Sequence, residues 1–518
     1  MTTSIRRLRK APVCSMLGAL LLLALCAVPS VQGQDLLQKF EKKTTTFTLD
    51  NGLDFVIVER HDAPVASFAT YVDVGSVNEP EGKSGIAHMF EHMAFKGTTT
   101  IGTKNIEKEM QALRRQENIY QKLRREKAKG PQADSARIAK LQKTFEAAQK
   151  KAESYLKEGE FKNILERNGA TNLNAYTSRD QTVYRYSLPA NKAKLFFALE
   201  SDRFMNPVLR EFYTERDVVM EERRSRESNP VGRLFESFIT TAFKAHPYGT
   251  PTIGYMSEIR NLSRTDARQF FDKYYNASNL TIGIAGDVEP SRMKELAKKY
   301  FGRLPEGKDP LPVVTDEPKQ QGERRVIIRE QSRPALFVGY HRGSMHSKNA
   351  PVYDILSNVL TGGRTSRLYE RLVEQEKMSQ VQAVPSFPGS KYENLFVILG
   401  FPSRGVSPDS VEHAIYDELN QIAKKGISAE ELERAKTQAR DNLIGQLDSN
   451  LGLAVQFAQK QTLTGDWRNI FRDLNEIEAV TVDDVQRVAR KTFKRSNRTV
   501  AMIKTKTKEK EQPTASAK

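Results

Sequence analysis

The stretch Gly85-Ile-Ala-His88-Met-Phe-Glu91-His92-Met-Ala-Phe-Lys-Gly97 carries the strongest signal in this chain. Apolar residues at Ile86, Met89, Phe90 and Met93 recur with helical spacing, so the segment reads as a helix with one buried face. His88 and His92 stand four residues apart and project from the same side, which lets both imidazoles reach one cation. Glu91 follows His88 by three residues and shares that side, where a carboxylate is placed to take a proton from water. Imidazole with carboxylate is a zinc ligand set, and zinc hydrolases keep a fourth position for water. The plain alternative is an ordinary helix that happens to carry these residues. Against it, two of only seven histidines fall at ligand spacing around a glutamate, among apolar neighbours.

Upstream, Arg6, Arg7, Arg9 and Lys10 precede an apolar run from Val13 to Val28, and Val31-Gln32-Gly33 supplies small residues for cleavage. That is the layout of a secretory signal peptide over residues 1–33. A mitochondrial transit peptide would be amphipathic, whereas the Leu17 to Leu25 run is apolar all round. A retained anchor would need a slightly longer run, and a lipoprotein would want a small residue where Leu25 precedes Cys26. Both cysteines, Cys14 and Cys26, lie in this leader, so disulfides are excluded downstream and any metal is held by histidine and carboxylate. An exported chain of this size without a disulfide fits a periplasm, with no membrane attachment expected after cleavage.

Downstream, 518 residues are too many for one hydrophobic core, so two or more domains are expected. Thr45 to Glu59 reads as a hairpin around Asn51-Gly52, and Val65 to Val74 as a strand. Residues 104–158, rich in Lys, Glu, Gln, Arg and Ala with a break at Lys129-Gly-Pro131, read as a helical hairpin insertion. It is either a solvated insertion or a docking arm for a partner. Asn174-Ala175-Tyr176-Thr177 and Gln181 to Tyr186 read as a strand pair. Thr315 to Arg325 is a polar linker, and residues 505–518 form a low-complexity disordered tail. Either side of the linker the order repeats: strand, Gly-Ser (Gly75-Ser76, Gly343-Ser344), helix, Gly. This indicates a duplicated α+β unit, spanning 34–314 and 326–504. Net charge is +17, from 81 Lys and Arg against 64 Asp and Glu, but it is spread along the chain. No stretch interleaves basic and aromatic residues as nucleic-acid modules do, so the excess reads as solvated surface, with a polyanion partner as the alternative.

His88-x-x-Glu91-His92 is the inverted zincin motif, and its context resembles the pitrilysin family (M16), which includes exported bacterial members and the mitochondrial processing peptidase. Asn51-Gly52, Gly75-Ser76, the segment from Gly85 to Thr98, Asn174 to Thr177, and Glu215 to Glu222 occur in family order over nearly the whole mature chain. The resemblance implies two homologous α+β domains, each a mostly antiparallel sheet with helices packed on one face, forming a clamshell. It also implies a metalloendopeptidase with one zinc per chain, held by His88, His92 and Glu222. Glu91 is then the general base and Glu215 the residue behind the ligands. Glu215 and Glu222 are seven residues apart, two helical turns, so both address one site. By the same resemblance, an edge strand with Asn174, Ala175 and Tyr176 receives short or unfolded peptide substrates by β-addition. The alternative is a non-catalytic scaffold or peptide binder of the same fold.

In the second half, the positions matching the metal ligands fall at Leu356, Val359 and Leu360, none able to bind zinc. Gly362 to Tyr369 resembles the family's glycine-rich segment. The Arg and Tyr that family members place soon after it align with Val373 and Gln380, so the chain lacks a complete site of its own. The resemblance therefore implies a heterodimer with a zinc-less homologous chain, a homodimer being the alternative.

Overall fold

The structure is a computed structural model that describes residues 31–506. The leader and the tail therefore lie outside the described residues, apart from Val31 to Gly33 and Thr505-Lys506. Among the described residues, no helix is long and apolar enough to cross a membrane.

Six strands form the first sheet: β1 (Thr44–Thr48), β2 (Asp54–Glu59), β3 (Val65–Val72), β4 (Thr171–Thr177), β5 (Thr182–Pro189) and β6 (Leu280–Gly286). Their order is β1-β2-β6-β3-β5-β4, antiparallel except for β2 beside β6. The β1–β2 hairpin closes through Gly52, whose φ of +87° suits a residue without Cβ. The second sheet holds β7 (Arg324–Glu330), β8 (Ala335–Arg342), β9 (Met378–Phe387), β10 (Asn394–Pro402) and β11 (Arg498–Thr505). Its order, β7-β11-β8-β10-β9 with only β7 beside β11 parallel, repeats that of the first sheet without the extra strand β1. The duplication visible as a faint echo in sequence is plain in topology.

The helices of the first half are α1 (Val31–Glu41), α2 (Ile86–His92), α3 (Ile106–Lys127), α4 (Ser135–Glu153), α5 (Glu160–Arg167), α6 (Ala193–Met205), α7 (Phe212–Ser228), α8 (Pro230–Ala242), α9 (Met256–Asn261), α10 (Arg264–Tyr274) and α11 (Pro290–Phe301). Those of the second are α12 (Ala350–Thr361), α13 (Pro408–Lys425), α14 (Ala429–Leu447), α15 (Asn450–Thr464), α16 (Asn469–Glu478) and α17 (Val482–Thr492). One face of each sheet carries its own half's main core. The other face adds something the sequence reading did not contain: a helix from the opposite half. α15 lies across β2, β3 and β6, burying Leu453 and Phe457, with Trp467 from the turn that follows it, in one cluster with Val56, Tyr71 and Ala285. α8 lies across β7, β8 and β11, burying Leu234 and Phe238 against Phe337 and Ala501. Strands buried on both faces lose the polar alternation of a one-sided sheet, as the continuous burial along β6 shows.

The segment read as a linker also differs. β7 begins at Arg324, inside the expected 315–325 span, and the preceding residues are pinned. The Glu317 carboxylate accepts the Lys244 N–H at 2.9 Å, the Ala245 N–H at 2.9 Å and the His246 N–H at 3.1 Å. Gln320 donates to Arg498 O at 2.7 Å. Two of the polar side chains here, those of Glu317 and Gln320, are buried on specific backbone partners, while most of their neighbours face solvent.

Residues 104–158 do form a helical hairpin. Asn105 caps α3 by accepting from Lys108 N–H, and Asp134 caps α4 by accepting from Arg137 N–H. Its inner face is not solvated: Tyr120, Phe145 and Tyr213 of α7 cluster with ring centroids 4.5 to 5.6 Å apart. At its base Arg210 is 1% exposed and pairs with Glu109, 0% exposed, at 2.8 Å. The insertion is thus fastened to α7, one of the two helices that form the site.

Candidate metal centre

α2 presents His88 and His92 because its other side, through Ile86, Met89 and Phe90, is buried in the first core. α7 crosses it, with Phe212, Tyr213, Arg216, Val219 and Arg223 buried and Glu215 and Glu222 on the side facing α2. Of the several acids on this helix, these two arrive at the histidines. Glu222 Oε2 lies 3.6 Å from His88 Nε2 and 3.5 Å from His92 Nε2. The three residues form the sole cluster of potential metal ligands among the described residues, with donor atoms within 4.8 Å of one another. A tetrahedral zinc with bonds of about 2.0–2.2 Å needs donors roughly 3.4 Å apart, so the donor set and its spacing fit this ion.

The groups behind the donors are arranged to hold them. Glu215 Oε2 lies 3.3 Å from His92 Nδ1, and its other oxygen takes the Lys96 ammonium at 2.5 Å. This leaves His92 Nε2 free to face the centre, the usual role of a carboxylate behind a metal-binding histidine. Arg226 donates to Glu222 Oε1 at 2.6 and 3.1 Å, leaving Oε2 turned inward. His88 Nδ1 is buried with no partner, so that imidazole engages through Nε2. The electrostatics follow: burial pushes His88 down to about 4, whereas bonds to Glu215 and Glu222 hold His92 up at about 9. The bond to His92 takes Glu222 down to about 2.

Glu91 Oε2 stands 3.8 Å from His88 Nε2 and accepts the Thr177 N–H at 2.9 Å. Burial raises its pKa, the direction that suits a group meant to take up and return a proton. Thr177 ends β4, one of the two edge strands of the first sheet, so the general-base candidate is tied directly to the strand proposed to receive peptide. Along that strand, buried Ala175 belongs to the core on the metal side, while exposed Asn174 accepts the Ala175 N–H at 2.9 Å through its own side chain. Tyr176 turns its ring to the opposite face, packing on the α15 layer beneath Arg185. Side-chain alternation along a strand sends it there, so only its backbone stays near the site.

In the second half, α12 and edge strand β9 take the places of α2 and β4, and Leu356, Val359 and Leu360 are buried core residues. Val373 packs against that core, and Gln380 sits exposed on β9. The sequence reading did not pick out Lys96, Arg226 or the Thr177 N–H. The first two stand four residues from His92 and Glu222, the spacing of helical neighbours, which was a usable signal. The third depends on long-range packing and left none.

An inverted His-x-x-Glu-His helix crossed by a glutamate helix, on a duplicated α+β fold, defines an M16-type metallopeptidase architecture. Residues 55–122 and 146–255 match the family description Insulinase (Peptidase family M16), and residues 261–439 match Peptidase M16 inactive domain. The chain is 31% identical to the zinc protease PqqE of Helicobacter pylori over 94% of this chain and 97% of that protein. The crystal structure of a protease from Helicobacter pylori matches with a TM-score of 0.73 and 28% identity, over 89% of this chain and 99% of that one. The periplasmic protease PqqL from Escherichia coli has the same fold (TM-score 0.66, 19% identity), covering 89% of this chain and 48% of that chain. The chain belongs to peptidase family M16.

Proposed function

We propose that this chain is a zinc-dependent endopeptidase acting on short or unfolded peptides. The observation that carries the reading is the convergence of His88 Nε2, His92 Nε2 and Glu222 Oε2 beside a carboxylate tied to an open sheet edge. Bound there, zinc supplies an acidified water and a Lewis acid for the scissile carbonyl. Edge strand β4 offers main-chain groups to an extended peptide. Glu91, freed from Thr177 as the peptide arrives, takes a proton at Oε2 and returns it to the leaving amine. Glu215 keeps His92 oriented throughout, and Arg226 keeps Glu222 turned inward.

Substrate enclosure is assigned to a second chain. Within one chain the halves are interlocked through α8 and α15, and Val373 and Gln380 supply neither an arginine nor a tyrosine. PqqL, of which this chain covers about half, supports a pairing of two such units. A zinc-less homologue is the proposed partner and a second copy the alternative. The leader supports export to a periplasm. Cleavage of a quenched-fluorescent peptide library, with and without candidate partners and with chelator, tests the reading; zinc-independent cleavage by the pure chain would remove it. A description naming an inactive domain covers residues 261–439, which include the end of the first half but none of His88, Glu91, His92, Glu215 or Glu222, and so leaves the reading of the metal centre intact.

A further inference from the structure

α2 is seven residues long, short of the roughly 12–15 residues a helix needs to hold itself together in water. It nevertheless has to keep two imidazoles aimed at one point. Its amino end has no side-chain cap, because Gly85 occupies that place with φ +88°, and a Cβ there would meet Ile253 O at 2.5 Å. The free N–H groups turn instead to Glu79. Gly85 N–H donates to both of its carboxylate oxygens at 3.0 Å, and Ala87 N–H to Oε1 at 2.9 Å. Beside them, Ser84 N–H donates to Glu258 Oε2 at 2.7 Å.

The other end is held in a complementary way. Just past the helix, Ala94 O accepts a bond from Arg203 Nη1 at 3.0 Å. Arg203 is buried on α6, its guanidinium 3.9 Å from the Tyr184 ring centroid and paired with Glu200. Glu200 is held in turn by Thr70 Oγ1 at 2.6 Å. The acceptor at the amino end opposes fraying by satisfying otherwise unpaired N–H groups, and the cation at the carboxyl end also complements the aligned peptide dipoles.

Neither residue belongs to the His-x-x-Glu-His motif. We propose that Glu79 and Arg203 are positioning residues for the metal centre, clamping the two ends of α2 so that His88 and His92 stay convergent. The inference rests on reading the site as a zinc centre. Glu79→Gln keeps one acceptor but turns an –NH2 group toward amide donors, and Glu79→Leu removes acceptance altogether. Arg203→Met removes the donor at the far end, while Arg203→Lys can restore one bond to Ala94 O.

The full mature chain is compared with these variants by chelator competition for zinc, by hydrogen–deuterium exchange of peptides spanning residues 84–94 in the zinc-free state, and by kcat and KM. The expected result for folded Glu79→Gln and Arg203→Met is zinc binding weaker by about 10–100-fold. Exchange across 84–94 accelerates and kcat falls with KM held, and Arg203→Lys recovers part of each loss. Variants that bind zinc and exchange like the parent overturn the proposal, even if their melting temperature drops, since that pattern marks a contribution to overall stability only. If the parent itself binds no zinc, the zinc reading fails separately. The exchange data then judge the clamp alone: faster exchange keeps it and unchanged exchange removes it.

Discussion

Replacing Arg210 by methionine strips the partner from a fully enclosed carboxylate. Arg210 donates to Glu109 at 2.8 and 3.3 Å and to the carbonyls of Lys96, Thr98 and Ile101 at 2.9, 2.7 and 2.8 Å. Breaking one side of a buried ion pair costs about 3–5 kcal/mol, because the remaining charge has no water to turn to. The double variant Arg210→Met with Glu109→Leu takes the Arg210 donor from the carbonyls of Lys96 and Thr98, while Ile101 O keeps the Thr98 N–H at 2.9 Å, so it is expected to recover roughly 1–3 kcal/mol, within the range of coupling between residues in contact. Urea unfolding followed by Trp467 fluorescence measures this. Trp467 is the single tryptophan and lies buried, stacked on Phe457 in the layer over the first sheet. A single variant within about 1 kcal/mol of the parent, or a double variant less stable than Arg210→Met, would show that the pair does not fasten the hairpin to the site.

Other expectations follow from the same geometry. Glu222→Gln takes away the charged third donor and should weaken zinc binding by more than about 100-fold in chelator competition, beyond the effect of residues that only orient ligands. Because His92 is held at about 9 in the zinc-free chain, it is an imidazolium near neutrality and zinc must displace its proton. The sign is therefore tighter binding as pH rises, by about tenfold per unit over roughly pH 6 to 8. Glu215→Gln, which removes the leading cause of that raised pKa, should flatten the slope. Glu317→Ala leaves the amides of residues 244–246 without their acceptor and should cost about 1–3 kcal/mol, with earlier proteolysis between residues 308 and 323. Calorimetric or denaturant midpoints check the first part and timed digestion the second.

How far the sequence carried the argument varied with the range of the interaction. α2 was legible because two ligands and a base at local spacing leave little else for that helix to do. The hairpin insertion was legible from its composition and its Gly-Pro break, since the caps Asn105 and Asp134 act within a few residues. What it rests against was not, because the Glu109 to Arg210 pair spans 101 residues. Glu222 stood among several acids on α7, and only the crossing of α7 over α2 separates it from its neighbours. The exchange of α8 and α15 between halves left no trace beyond uniformly apolar strands, a pattern shared with any sheet covered on both faces. The polar run around Glu317 was read by composition, which cannot distinguish a solvated carboxylate from one accepting backbone N–H groups.

Zinc content and peptide cleavage measured together on the purified mature chain and its Glu91→Gln variant, with candidate partner chains added, test the peptidase reading most directly. The expected outcome is about one zinc per chain in both proteins, with cleavage reduced by about 100-fold or more in the variant. Activity that appears only with a partner present would agree with the divided site. A correctly folded chain that binds no zinc, or cleavage indifferent to Glu91, would contradict the account and favour a non-catalytic role for the same fold.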